Sequence, residues 1–431
     1  MTNISITYKE SRISDKIYQV ILVLLLIISS GFPLFVNNKG VDLILFAYAV
    51  VGAVYYKPNL AWVFKFTLAF ALLMFIQAVY FGEFYIKTSF YQVILFCGAA
   101  ISVAILGTNL LYIYVRLMLI IAVVATVLFI PILINPGFAE KLISLSPFHI
   151  QTVTEAYGWE STSHNIFVMH FPPDFFYGLI RNSGPFWEPG AFGGFLVLAF
   201  VFNTLLHNTL FRKEHIIFIV AILTTFSTTT YLALIFFIAA FSFIKLDDQV
   251  VKWGALVLFV IAGAIFYDKV DFLGKKIEKE LEETKYQAFV RGGDTRMASA
   301  YLDLKELSDN SFHIFFGRGS HPDTRIKGID KEVLRTNGVT DLLSRFGLLF
   351  FLFALFSLFR SFRLITALGE GKRPLAFVGL ATLLILSFSE IYFIYIFFKV
   401  LILFQMASVE IPDEQSEYDL VRPKRRMLLS N

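Results

Sequence analysis

Residues 181–195 read RNSGPFWEPGAFGGF, a stretch that carries an arginine and an acid into the start of an apolar helix. Gly184, Pro185, Pro189 and Gly190 dictate backbone shape there rather than filling space. Glu188 falls at the expected hydrocarbon boundary, where an acid is costly unless it has a partner or a task. Farther along, Arg291, Arg296, Arg318, Arg325 and Arg335 gather in one polar segment. Arginine suits phosphate because its planar fork donates two hydrogen bonds at once. Arg291 and Arg318 adjoin glycine, which admits a ligand close to the backbone. Such arginines, with Arg181, could clamp a diphosphate whose lipid tail lies in a bilayer and stabilise it as a leaving group. Glu188 could then serve as general base on an incoming hydroxyl. Plainer roles stand beside these. Arg325, Lys327 and Lys331, among acidic neighbours, suit a solvated face better than a site. For Glu188, a structural ion pair with Arg181 is an equal alternative.

Other chemistries lack their motifs. Gly369-Glu370-Gly371-Lys372 does not have the spacing of a nucleotide-binding loop. There is no HExxH, no Cys/His cluster and no GxSxG elbow. His149, His164, His170, His313 and His321 are scattered over two segments, a poor basis for a metal site. The expectation is therefore no metal and no cofactor. Cys97 is the single cysteine and lies in an apolar run, so no internal disulfide can form.

The elements that must carry these residues are membrane helices. Of 431 residues 57% are hydrophobic, 50 are Phe, and only 16% are charged, against about 25% in soluble domains. Continuous apolar runs of roughly 20 residues recur, each long enough to cross a bilayer. They are not alternating, which excludes a β-barrel. The expected fold is all-α, a polytopic membrane protein with about 12 transmembrane helices. Five are expected over 17–134, as 17–36, 41–56, 60–81, 88–106 and 110–134. A first large polar segment follows at 135–189 and four helices at 190–267. The second large segment is 268–338, and the last three helices lie in 339–407. The run 215–245 is too long for one simple span and divides at Ser227-Thr228-Thr229-Thr230. The run 374–407 turns near Ser387-Phe388-Ser389-Glu390. The first apolar run has no small-residue cleavage site after it and reads as a retained span.

With twelve crossings, the basic short loops all fall on one side. These hold Lys57 and Lys65, Arg212 and Lys213, Lys245 and Lys252, and Arg360 to Arg373. The N-terminal residues 1–16 and the RPKRR-bearing tail, 408–431, join them. By the positive-inside rule that side is the cytoplasm, so both large segments lie outside. Neither reads as a linker. Leu273, Ile277 and Leu281 recur at helical spacing among Lys and Glu, an amphipathic surface helix. A second helix, capped by Asp294 or Thr295, places Met297, Tyr301, Leu304 and Leu307 on its apolar stripe. Phe315 to Gly319 reads as a tight, backbone-shaped turn.

Four places resemble the O-antigen polymerase and O-antigen ligase superfamily of bacterial envelope enzymes. The first is Arg181, Gly184, Phe186, Glu188 and Pro189 entering a helix. The Phe-Trp-Glu-Pro-Gly form is similar to capsule and exopolysaccharide polymerases. The second is the polar kink Ser227–Thr230, although relatives often carry an arginine there and this chain does not. The third is Arg296 on a helix followed by Phe316-Gly317-Arg318-Gly319. The fourth is Thr336-Asn337 and Leu343 to Gly347, similar to the family's His-Asn entry into a span. The resemblance covers about 181–350 and the topology.

The resemblance implies a metal-independent GT-C-class glycosyltransferase of the bacterial inner membrane, both termini cytoplasmic. It would join glycan repeat units carried on undecaprenyl diphosphate at the outer face, building O-antigen, capsule or exopolysaccharide. Glu188 and Arg181 are its expected catalytic residues. Arg291, Arg296, Arg318, His321, Arg335 and Asn337 are its expected substrate-binding residues. The expected partners are the lipid bilayer, the lipid-linked oligosaccharides, and a chain-length regulator and flippase; nucleic acid is not among them. Thr336 replaces the ligase histidine, and His321 would substitute only if the loop folds back. That favours a polymerase over a ligase that transfers glycan to lipid A core. A flippase for the same lipid-linked glycans is the alternative of another class, although transporters usually show related halves and none is visible here.

Overall fold

The computed structural model describes residues 13–36, 38–82, 86–154, 159–173, 175–176, 178–245, 252–253, 296–325 and 335–407. Most of them are helical. The first five helices are α1 (Ile13–Gly31), α2 (Lys39–Tyr56), α3 (Ala61–Phe81), α4 (Ile86–Leu106) and α5 (Asn109–Ile134). After an irregular region come α7 (Pro189–His207), α8 (Lys213–Thr224) and α9 (Thr228–Lys245). The last bundle helices are α12 (Gly338–Leu368), α13 (Leu375–Ser389) and α14 (Ile396–Leu403). Among the described residues eight helices are long and apolar enough to cross a membrane: α1 to α5, α7, α9 and α12. At about 1.5 Å per residue, the 12 residues of α8 and the 15 of α13 fall short of that length.

The expected breaks are present. Between α8 and α9 the chain turns at Thr225-Phe226-Ser227, with Phe226 in the left-handed region (φ 46°). After α13 it turns at Glu390 and passes through a short 3-10 turn, Tyr392–Ile394, into α14. The expected span at 250–267 lies outside the described residues. So do the surface helix at Leu273 to Leu281, its neighbour's cap at Asp294 or Thr295, Arg291, Lys327, Lys331 and the tail.

Helix α7 is the axis of the bundle. Seventeen of its 19 residues are buried, and it packs against α5, α8, α9, α12 and α13. Close approach needs small residues, because lipid offers apolar helices no hydrophobic reason to associate. A Cβ on Gly193 would sit 2.6 Å from Thr230 Oγ1, and one on Gly194 would sit 1.9 Å from Tyr392 Oη. The two glycines thus admit a threonine of the polar kink and a tyrosine of the α13–α14 turn. On the other side, Tyr114 of α5 donates its hydroxyl to Phe195 O at 2.8 Å. By contrast α3 turns Phe64, Leu68, Leu72 and Phe75 outward, as a lipid-facing helix does.

The described parts of both polar segments lie at one end of the bundle. The first forms α6 (Gly137–Ser144) and an antiparallel sheet of β1 (Phe148–Thr154), β2 (Trp159–Asn165) and β3 (His170–Phe171). This sheet is absent from the all-α expectation. In β1, FHIQTVT, apolar and polar residues alternate over only a few positions, a weak signal beside twenty-residue apolar runs.

In the second segment α10 (Arg296–Ser308) and α11 (Ser311–Phe316) lie against the start of α12. Helix α10 corrects the expected stripe. Tyr301 and Leu304 are exposed, and the buried face carries Ala298, Ser299, Leu302, Asp303 and Glu306, joined by Leu307. The acids face inward because buried arginines meet them there.

Candidate functional site

The stretch before α7 is held by hydrogen bonds from several directions. Asn182 donates its N–H to Thr224 O (3.0 Å) and its side-chain amide to Thr224 Oγ1 (2.9 Å). The same side chain accepts from Gly184 N–H (2.8 Å), with Gly184 in the left-handed region (φ 49°). Arg181 Nε donates to Thr225 O (3.0 Å), so the arginine is fastened to the α8–α9 break. His170 N–H donates to Gly184 O (2.6 Å), and Trp187 N–H to Gly31 O (3.2 Å). Phe186 fills the space a side chain at Gly31 would need.

Glu188 then occupies the N-cap of α7 in extended conformation (φ −155°, ψ 163°), with Pro189 as first helical residue. Its carboxylate makes no capping hydrogen bond. A second acid, Glu390, meets it across Gly190. A Cβ at Gly190 would lie 2.7 Å from Glu390 Oε1 and 3.6 Å from Glu188 Oε1. The two oxygens are therefore at most about 6 Å apart. Tyr392 stands beside both, its hydroxyl donating to Gly190 O (3.3 Å). The Trp187 ring lies 5.0 Å from that of Tyr395.

The second segment contributes a turn and an ion network. Gly317 and Gly347, both at φ 76°, pack backbone to backbone. A Cβ on Gly347 would fall 2.3 Å from Phe315 O, and one on Gly317 would fall 2.5 Å from Gly347 N. Helix α12 kinks at Gly347 to receive the turn. Arg318 and Gly319 donate their N–H groups to Ser344 O and Arg345 O (2.7 and 3.0 Å). Gln77 of α3 donates its side-chain amide to Phe316 O and to Arg345 O, the latter at 2.8 Å. Arg318 Nε donates to Thr324 O (2.7 Å), and Nη1 lies 3.3 Å from His313 Nδ1. Burial and the Arg318 guanidinium hold His313 below its ordinary pKa, so a neutral ring accepts from the arginine.

Arg325 is not on a solvated face, as its acidic neighbours had suggested. It is buried among Asp303 (2.7 Å), Glu306 (2.7 Å) and Asp341 (3.1 Å). Arg335 joins Asp303 at 3.4 Å and Glu306, and Arg345 joins Asp341 at 2.6 Å. Burial pushes the Asp303 carboxyl up to about 6 against the pull of Arg325. Burial alone would lower the Arg325 guanidinium, but Asp341, Glu306 and Asp303 hold it above its ordinary value. Three arginines facing three acids form a clamp between α10 and α12.

Of the residues expected from sequence, the structure gathers Arg181, Glu188, Arg296, Arg318, His321, Arg335 and Asn337 at one end of the bundle, with Arg291 outside the described residues. Their tasks differ. Arg335 lies within the ion network. Asn337 caps α12, accepting from Val339 and Thr340 N–H (3.1 and 3.2 Å). Arg296 begins α10. His321 lines a small pocket with Gln77, Gln92 and Gly319. Glu188 and Arg181 belong to one strapped stretch, but Arg181 donates to Thr225 O while Glu188 lies near Glu390.

Residues missed by the sequence reading stand beside them. A cavity of about 130 Å³ is lined by Ser29, Asp42, Tyr91, Gln92, Arg345 and Tyr395, among others. Lys399, fully buried, donates to Phe393 O at 3.2 Å and to Ile394 O. The available signal was a polar or charged residue inside an apolar run near its end: Asp42, Gln92, Glu390, Lys399.

A bundle of apolar helices around an enclosed axis, with polar groups gathered at one end, defines a polytopic helical membrane protein. No family model, curated protein or solved structure matches the chain.

Proposed function

We propose that this chain is a GT-C-type glycosyltransferase that joins undecaprenyl-diphosphate-linked glycan repeat units at the outer face of a bacterial inner membrane. In this reading the chain crosses twelve times. Helices α8, α13 and α14 count as short crossings, the ninth lies at 250–267, and both termini are cytoplasmic. The observation that carries the proposal is Glu188, an acid without a capping bond at the mouth of a protein-enclosed helix, facing Glu390 across a glycine. Two carboxylates there suit proton transfer from an acceptor hydroxyl. Arg181 and Arg318, anchored through Nε to backbone carbonyls, are our choice for holding the departing diphosphate. No metal or nucleotide enters the scheme. Thr336 in place of a ligase histidine makes a polymerase the better fit.

The test is glycan length on a gel. Cells lacking the protein are rescued with wild type, Arg181→Ala, Glu188→Ala or Arg318→Ala at matched membrane level. The expected result is loss of long chains, with single repeat units still attached to their acceptor. Loss of all attachment while lipid-linked long chains accumulate would mean a ligase. Unchanged lengths in all three variants would overturn the site and revive the flippase.

A further inference from the structure

We infer that the cavity beside Tyr395 is a binding site for a neutral sugar ring, an inference that rests on the glycan-polymerase reading. The cavity lies between the first turn of α2, the N-terminal halves of α4 and α12, the end of α1 and the α13–α14 turn. Its volume of about 130 Å³ compares with ~10–15 Å³ needed by one water. It therefore has room for a ring-sized ligand or for several waters.

Its walls offer donors and acceptors in balance. Asp42 is an acceptor, oriented by the Tyr91 hydroxyl that donates to its Oδ2. Gln92 is buried, and its Oε1 has no hydrogen-bond partner. A buried orphan acceptor is costly unless a ligand or water satisfies it. Arg345 lines the opposite wall, its Nε tied to Asp341. Lys399 lies within electrostatic reach of both Asp42 and Arg345.

These charges sort the ligand classes. A diphosphate entering here would meet the Asp42 carboxylate. A divalent cation would meet the Arg345 guanidinium. A polyol meets neither conflict: its hydroxyls can donate to Gln92 Oε1 and Asp42 and accept from Arg345. Tyr91 and Tyr395 also line the cavity, adding aromatic surface of the kind that a sugar ring's apolar side packs against. The site also adjoins the carboxylate pair, because Tyr395 lines the cavity on one side and meets Trp187, the neighbour of Glu188, on the other. Glu188 and Glu390 would act on a glycan whose ring this cavity seats.

The test uses full-length purified protein in detergent and free oligosaccharide released by mild acid from the source cells' own polysaccharide. Calorimetry measures its binding to wild type, Gln92→Leu and Tyr91→Phe, with inorganic diphosphate as a second probe. Wild type should bind the oligosaccharide, Gln92→Leu about tenfold more weakly, as for one lost hydrogen bond of about 1.4 kcal/mol. Tyr91→Phe should weaken it severalfold while melting as wild type does, so a fold defect in one variant does not decide the matter. Equal affinity in all three proteins would overturn the inference. So would diphosphate binding that the two substitutions abolish, since the cavity would then be an anion site. Glycan length in deleted and rescued cells reports separately on the polymerase. If deletion leaves lengths unchanged, that reading fails whatever the cavity binds. If wild type restores them and Gln92→Leu binds sugar normally, the cavity alone is wrong.

Discussion

Two regions at the same end of the bundle are rich in charge, and they treat it differently. In the clamp between α10 and α12, three arginines face three acids at hydrogen-bonding distance, and the arginines and acids are largely buried. At the entry to α7, Glu188 has no capping bond and faces another acid. The clamp satisfies its charges internally and holds a polar segment onto a membrane helix. Among the described residues, the entry leaves Glu188 without an ion pair, in a place built with glycine, proline and backbone hydrogen bonds. Charge density alone therefore does not mark a site. What separates the regions is that the clamp pairs its acids with arginines, whereas Glu188 has no ion pair among the described residues.

The comparison predicts opposite responses to removing one acid. Glu306 accepts from Arg325 Nε (2.7 Å), Ser344 Oγ (2.7 Å) and Arg335. Glu306→Ala removes a buried counter-charge shared by two arginines, leaving three arginines to two acids, and should cost about 3 kcal/mol, read as a large drop in melting temperature in detergent. A variant that melts like wild type would show that the clamp is not structural. Glu188→Gln should do the reverse. Its melting should stay within about 0.5 kcal/mol of wild type, while chain extension by purified protein on a lipid-linked repeat unit falls ~10²–10⁴-fold. Retained extension would remove Glu188 from the chemistry.

Acid should sharpen the contrast. Burial lowers the pKa of His170 from 6.5 to about 4, so the folded sheet holds this ring neutral. A group with a depressed folded pKa contributes stability that is complete above its unfolded value and disappears as pH falls toward the folded one. The window is therefore pH 6.5 down to 4, and the loss is up to about 3 kcal/mol. His170 also donates its N–H to Gly184 O, so its sheet straps the entry stretch. Corrected for the intrinsic slowing of exchange in acid, the protection of β2, β3 and residues 181–188 should fall between pH 7 and pH 5, and His170→Phe should reduce that fall. Corrected protection that ignores pH would show that His170 does not couple the sheet's stability to its protonation.

Much of this was legible in the chain, for identifiable reasons. Helix α2 begins, and α3 and α5 end, where the apolar runs do, because Asn38, Gly82 and Asn135 interrupt them. The polar Ser227–Thr230 run marked the α8–α9 break, and the glycines at 317 and 319 marked a backbone-shaped turn. Glu188 stood out because an acid beside two prolines at an apolar boundary needs a reason. Its neighbour Glu390 did not, since nothing local says that residue 390 returns to residue 190; only the packing of α13 against α7 does that. The orientation of α10 was misjudged for a similar reason. Apolar periodicity assumes that the buried face is apolar, and Arg325 and Arg335, distant in sequence, reverse that by burying Asp303 and Glu306. The cavity at Asp42, Tyr91, Gln92 and Arg345 draws on three helices and could not be seen from any one of them.

The smallest expected effect tests where the boundary between the two regions runs. Asn337 was expected to bind substrate, and in the fold it caps α12, its Oδ1 accepting from Val339 and Thr340 N–H. It also stands between the clamp and the carboxylates. Its N–H lies 3.4 Å from Ser299 Oγ of α10, and the next residue, Gly338, packs under Glu390 O so closely that a Cβ would fall 2.3 Å away. If the residue is only a cap, Asn337→Ala should cost about 1 kcal/mol, and Asn337→Asp, which can still accept both bonds, should recover most of it. Chain extension should follow stability in both. Its Nδ2, however, is buried without a hydrogen-bond partner, and only the amide can donate. Should Asn337→Asp melt normally yet fail to extend chains, the donor rather than the cap is what function needs, and Asn337 belongs with Glu188 rather than with the clamp.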